Sequence, residues 1–130
     1  MFFDINNQII GKNIRKATLK LWVNTKPDAS VFSTFEVAIA AGAWTSGGLT
    51  WNNQPGYYTS PVNSQPTPAA SSVWWEVDVT RLVKLWANGS VTNNGFVIRD
   101  PSTYIPYTSV DFSASFPNSS NRPVLNIEFQ

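Results

Sequence analysis

The sequence predicts an all-β domain, a jelly-roll-type β-sandwich with one short α-helix near residues 79–87. Three observations predict it. Short apolar–polar alternations recur along the chain between clusters of turn residues. A single segment follows the helical period instead. The composition joins 42% apolar and 14% aromatic residues to only 13% charged ones, with 13 Asn, 14 Ser and 11 Thr in place of charge; such hydroxyls and amides suit turns and exposed strand faces. At 130 residues the chain is read as one sandwich domain, 1–130.

The elements follow in order. Residues 2–5 read as an edge strand. In residues 17–23, Ala17, Leu19, Leu21 and Val23 share one face and Thr18, Lys20 and Trp22 the other. Phe35, Val37 and Ile39 alternate with Glu36 and Ala38. Residues 42–70 hold Gly47-Gly48, Asn52-Asn53, Pro55-Gly56, Pro61, Pro66 and Pro68, and no helix survives prolines at that spacing, so the segment is read as irregular. Residues 73–79 form the next strand, with Trp75, Val77 and Val79 on one side. Then Val79, Leu82, Val83 and Trp86 fall at i, i+3, i+4 and i+7, one apolar helix face, with Asp78 placed to cap the first turn and Gly89 to end the helix in a left-handed conformation. The turn signal Asn93-Asn94-Gly95 precedes a strand through Arg99. Strands over 110–116 and 124–129 finish the chain, with Leu125, Ile127 and Phe129 the inward set of the last.

Two zeros in the composition narrow the chemistry. The chain has no Cys and no His. Disulfides, thiolate and Ser-His-Asp nucleophiles, and Cys- or His-ligated metals are therefore excluded. A net charge of +1 gives no basic surplus for nucleic acid, and no apolar run approaches the ~18 residues of a membrane span. No cofactor is expected. Oxygen-rich loops leave room for a structural Ca²⁺, without EF-hand spacing.

Ordered motifs then carry a resemblance. They are Ile14-x-x-Ala17-x-Leu19-x-Leu21, Trp44, Leu49-Thr50-Trp51-Asn52-Asn53-Gln54-Pro55, Trp74, and Asp78-Val79-Thr80-x-x-Val83-x-x-Trp86-x-x-Gly89. Asn94-Gly95-Phe96, Phe112-Ser113-x-Ser115 and Pro123-x-Leu125-x-Ile127 complete the set. The pattern resembles the DNRLRE domain, disaggregatase-related and grouped with family 96 carbohydrate-binding modules, from Phe3 to the C-terminus. The resemblance implies a β-sandwich of a secreted or cell-surface protein, and some relatives bind acidic polysaccharide. Together with the lack of a catalytic set and the exposed-aromatic candidates, it leads to the reading of a non-catalytic carbohydrate-binding module that binds polysaccharide weakly. Two departures stand out. Trp44 is followed by Thr45 and Ser46, where the family usually has an acidic residue two positions on. The family also has strands ahead of the motif seen here as Phe3-Asp4, so the sequence suggests a trimmed N-terminus or strands supplied by another chain. The alternative function is a structural unit of a cell-surface stalk or filament, completed by strand exchange with a neighbouring chain.

The candidate ligand-binding residues are Trp22, Lys20, Tyr57, Tyr58, Arg99, Tyr104 and Tyr107. Trp22 lies on the polar face of its strand beside Lys20, and an exposed ring can stack on the apolar face of a pyranose. Tyr57, Tyr58, Tyr104 and Tyr107 lie in predicted loops and offer a flat face and a hydroxyl; covering the ends of the sandwich is the competing role. Trp51, Trp74 and Trp86 are read as core, because large rings in a small sandwich are usually buried. Lys12, Arg15, Lys16, Lys20 and Lys26 cluster near the start, as an acidic glycan would favour or as a solvated strand edge would show. Glu76 and Asp78 share a strand face, but a glycosidase pair also needs a cleft and one raised pKa. No catalytic residue is assigned.

Overall fold

A twelve-residue strand, β1 (Ile14–Thr25), organises the first of two antiparallel sheets. The computed structural model describes residues 1–25, 34–66, 68, 70–100, 111–112 and 121–130. One edge of β1 pairs with β4 (Val73–Asp78); the other pairs with β7 (Val124–Phe129) and then β6 (Asp111–Phe112). In the second sheet β2 (Thr34–Ile39) lies between β3 (Asn63–Pro66) and β5 (Phe96–Arg99). The described strands pass repeatedly from one sheet to the other, as an all-β sandwich requires.

Alternation places the core. Ala17, Leu19, Leu21 and Val23 of β1 are all buried, opposite Val77 and Trp75 of β4 and Ile127 and Leu125 of β7. Val37 and Ile39 of β2 face them from the second sheet. Trp75 joins the layers: its ring meets Phe35 edge-on at 6.2 Å, and its Nε1 donates to the Pro66 carbonyl at 3.1 Å. Each fully buried side chain of this size contributes about 1.5–3 kcal/mol.

The predicted helix is α2 (Thr80–Ala87), with Leu82, Val83 and Trp86 buried. Asp78 lies just outside its first turn and accepts from the Thr80 amide at 2.9 Å and hydroxyl at 2.5 Å. Thr80 Oγ1 accepts in turn from the Ala17 amide at 2.9 Å, while the Val79 amide donates to the Ala17 carbonyl at 2.9 Å. The Asp-Val-Thr motif thus fastens the helix start to β1. Gly89, at φ 79°, ends the helix as predicted.

Three expectations are corrected. Residues 2–5 form no strand; Asn6–Ile9 make a single helical turn, α1, because Ile5 and Ile9 follow helical spacing and Ile9 is driven fully into the core. Met1 alone pairs like a strand, its nitrogen donating to the Phe96 carbonyl at 2.9 Å and its carbonyl accepting from the Phe96 amide at 2.7 Å. Next, β3 arises inside the segment read as irregular. Its Asn-Ser-Gln-Pro sequence shows no apolar alternation, and Pro66 is tolerated at its end. Finally, Phe129 keeps the inward parity of β7 but is 47% exposed, at the last residue of a strand that pairs only with β1 among the described residues. Of the strand predicted over 110–116, residues 111–112 are observed and the remainder lies outside the described residues.

Candidate functional site

Since Leu19, Leu21 and Val77 point inward, the residues between them point out. Trp22 stands directly opposite Trp74, Lys20 opposite Glu76 and Thr18 opposite Asp78. The Trp22 and Trp74 indoles meet at 73° with centroids 5.3 Å apart. Lys20 Nζ lies 4.9 Å from the centroid of the Trp74 ring, a cation–π contact. Both rings are half-buried, and Glu76 and Val124 beside Lys20 are exposed. The result is an aromatic corner on a strand scaffold, rimmed by polar groups.

A second group forms on the outer face of the other sheet. Glu36 and Arg99 are register partners on β2 and β5 and form an ion pair. The Arg99 guanidinium stacks over Tyr57 at 4.8 Å. Tyr57 is held there by a bridge to Ala40, and the Tyr58 amide donates to the Ile39 carbonyl at 2.9 Å, leaving the Tyr58 side chain exposed. Arg99 has its charge matched by Glu36 and its plane covered by the Tyr57 ring.

Between β2 and Tyr57 runs a loop whose polar side chains bond to its own backbone. The Thr50 amide donates to Asn53 Oδ1 at 2.6 Å and the Asn53 amide to Thr50 Oγ1 at 3.3 Å. Asn53 Nδ2 donates to the Gly48 carbonyl at 2.7 Å, and Gln54 Nε2 to the Trp51 carbonyl at 3.1 Å. Trp51 is carried outward on this turn and is 85% exposed. Its assignment to the core is therefore wrong: the motif stabilises itself by local hydrogen bonds, and the ring is not needed to pack it. Trp44, by contrast, is half-buried and anchors the loop, its Nε1 donating to the Asn94 carbonyl at 2.7 Å.

The motifs that build these features belong to one family. Its model, carbohydrate-binding module family 96, matches residues 1–129. The chain belongs to that family. The match bears out the resemblance drawn from the motifs, and makes the chain a carbohydrate-binding module. No curated protein and no solved structure matches it.

Within the family 96 module, the predicted site residues divide between two opposite faces. Trp22 and Lys20 come together on the first sheet, Tyr57 and Arg99 on the second, with Tyr58 nearby in sequence. Tyr104 and Tyr107 lie outside the described residues. Two partners were missed, Glu36 and Trp74, and the reading of Trp74 as core is corrected: it is half-buried on the outer face, opposite Trp22. Both were legible from alternation: Trp74 must point away from the core if Trp75 points in, and Glu36 away if Val37 does. The module places Thr45 one residue after Trp44, and its Oγ1 accepts from the Gly48 amide at 3.2 Å, bracing the turn where the family's acidic residue is absent.

Charge on the aromatic face is interleaved. Lys16 is opposite Glu128 and Lys20 opposite Glu76, with Asp78 on the same face. Each of the two cluster residues placed on this face, Lys16 and Lys20, thus has a carboxylate in the opposite register position. The Thr80 hydroxyl and amide hold the Asp78 carboxyl below the usual carboxylate range, the reverse of what a general acid needs. Among the described residues no three His, Cys, Asp or Glu side chains gather to hold a metal ion, and no helix is long and apolar enough to cross a membrane.

Proposed function

We propose that this family 96 module is a non-catalytic unit of a secreted or cell-surface protein. It binds a polysaccharide chain on the outer face of its first sheet, with Trp22 and Trp74 as the sugar platform and Lys20 beside them. The observation that carries the reading is the Trp22–Trp74 corner, two half-buried rings 5.3 Å apart on neighbouring strands. Strand-borne rings are pre-organised and lose little freedom on binding, whereas stacking buries the apolar face of a sugar. Interleaved charge gives an acidic chain no surplus to recognise, which favours a neutral polymer. Affinity for one module is weak, with Kd about 10⁻⁴–10⁻³ M, and repetition in a parent protein would raise it.

Affinity electrophoresis in gels cast with β-glucan, xylan, mannan or alginate tests this. Retardation by a neutral polymer, reduced in Trp22→Ala and Trp74→Ala, is the expected result. Equal retardation of the wild type and both variants overturns the site. Retardation by alginate alone, abolished in Lys20→Gln, would reassign the ligand as acidic.

A further inference from the structure

All six tryptophans of the chain are among the described residues, and Trp51 alone is exposed. An indole at 85% exposure contributes almost nothing to the core, yet its turn is braced by four hydrogen bonds from Thr50, Asn53 and Gln54. A ring needed only as filler requires no such bracing. The turn fixes where the ring stands, which lowers the ordering cost of any contact it makes.

The chemistry around the ring is uniform. No charged residue stands anywhere between Glu36 and Glu76 in the sequence. Next to Trp51, Asn52 is exposed and makes no side-chain hydrogen bond to the described residues, and the Trp51 Nε1 makes none either. The loop therefore presents one flat apolar face, an indole N–H and an amide, and carries no charged residue of its own. A neutral pyranose has complementary groups: an apolar C–H face and uncharged hydroxyls. A carboxylated sugar would find no cation within the loop itself.

We infer that the Trp51 turn is a second glycan contact of the module, separate from the Trp22–Trp74 face, taking a neutral sugar by stacking on Trp51 with Asn52 bonding its hydroxyls. The inference rests on the polysaccharide-binding reading but not on its site. The loop follows β2 of the second sheet, whereas Trp22 and Trp74 stand on β1 and β4 of the first.

Iodide quenching of tryptophan emission isolates this ring, because iodide reaches surface indoles only. Trp51→Ala should lose most of the iodide-quenchable emission while leaving the unfolding midpoint unchanged. Saturating β-glucan, xylan or mannan should cut the quenching constant of the wild type by about half or more, as covering the dominant exposed contact ring would. In gels of the same polymer, Trp51→Ala should weaken retention about tenfold, and Trp51→Tyr, which keeps a flat ring, should retain most of it. Retention of Trp51→Ala equal to wild type, with no protection from iodide, overturns the second contact even if Trp22→Ala weakens binding. Trp51-dependent retention that Trp22→Ala and Trp74→Ala leave intact would instead discard the first face and keep the second. Absence of retention by every neutral polymer overturns the inference outright.

Discussion

Trp22 and Trp74 occupy directly opposed positions on two neighbouring strands, and their indoles meet nearly at right angles. Edge-to-face pairs of this kind contribute about 0.5–1.5 kcal/mol beyond area burial. A double-mutant cycle on Trp22→Ala and Trp74→Ala in urea should return a coupling energy of about 1 kcal/mol. Additive single effects would show that the rings stand side by side without stabilising one another. The corner would then exist for a ligand alone.

Two tryptophans of the shared motifs should respond in opposite ways to truncation. Trp86 is buried in α2 and packs on Phe96 at 4.7 Å. Trp86→Ala should cost about 3–5 kcal/mol, whereas Trp51→Ala should stay within about 0.5 kcal/mol of wild type. Trp86 Nε1 is buried and unpaired among the described residues, so Trp86→Phe sheds a donor that satisfies nothing. It should recover most of the loss suffered by Trp86→Ala. Urea midpoints at one pH decide all three.

That contrast shows what the chain made legible. Period-2 alternation in β1 and β4 sorts Leu19, Leu21, Trp75 and Val77 inward and Lys20, Trp22, Trp74 and Glu76 outward, because a one-residue slip would bury every polar group. Half the aromatic corner was read that way, and Trp74 was available by the same logic. Trp51 was not, because ring size argues for burial, and only the hydrogen bonds of Thr50, Asn53 and Gln54 reveal that the turn holds without it. The strand β3 escaped for a related reason. Its pairing with Thr34–Val37 is a property of backbone register, which Asn63, Ser64 and Gln65 do not advertise. Arg99 over Tyr57 needed the loop path from Ala40, which no local pattern encodes.

Acid should expose the role of Asp78. Its pKa is lowered in the folded state, by the Thr80 hydroxyl first and the Thr80 amide next. A carboxylate depressed on folding contributes stability above its unfolded pKa and loses it as pH falls through the folded value. The melting temperature of the wild type should therefore decline below about pH 4, the unfolded range for Asp. Asp78→Asn should start lower at pH 6 and decline less steeply. Thermal melts from pH 6 to pH 2.5 check this. Parallel curves for the two proteins would show that the Asp78–Thr80 bond has no energetic link to folding.

Gly95 should be the least replaceable glycine of the fold. It adopts φ 91°, and a Cβ built on it would collide with the Met1 carbonyl, which is held in place by its bond from the Phe96 amide. Asn93 tightens the same corner: it is buried, its Oδ1 accepts from the Gly95 amide at 3.0 Å, and its Nδ2 donates to the Phe3 carbonyl at 2.9 Å. Gly89 supplies the control, since it shares a positive φ of 79° but has open space where a Cβ would go. Gly89→Ala should therefore report backbone strain alone, about 1 kcal/mol. Gly95→Ala adds displacement of the Met1 backbone to that strain, for a total of about 2–4 kcal/mol. It should also raise hydrogen exchange at the Phe96 amide. Equal unfolding midpoints for the two variants would mean that Met1 yields freely and that its pairing with Phe96 does not hold the N-terminal segment against the sheet.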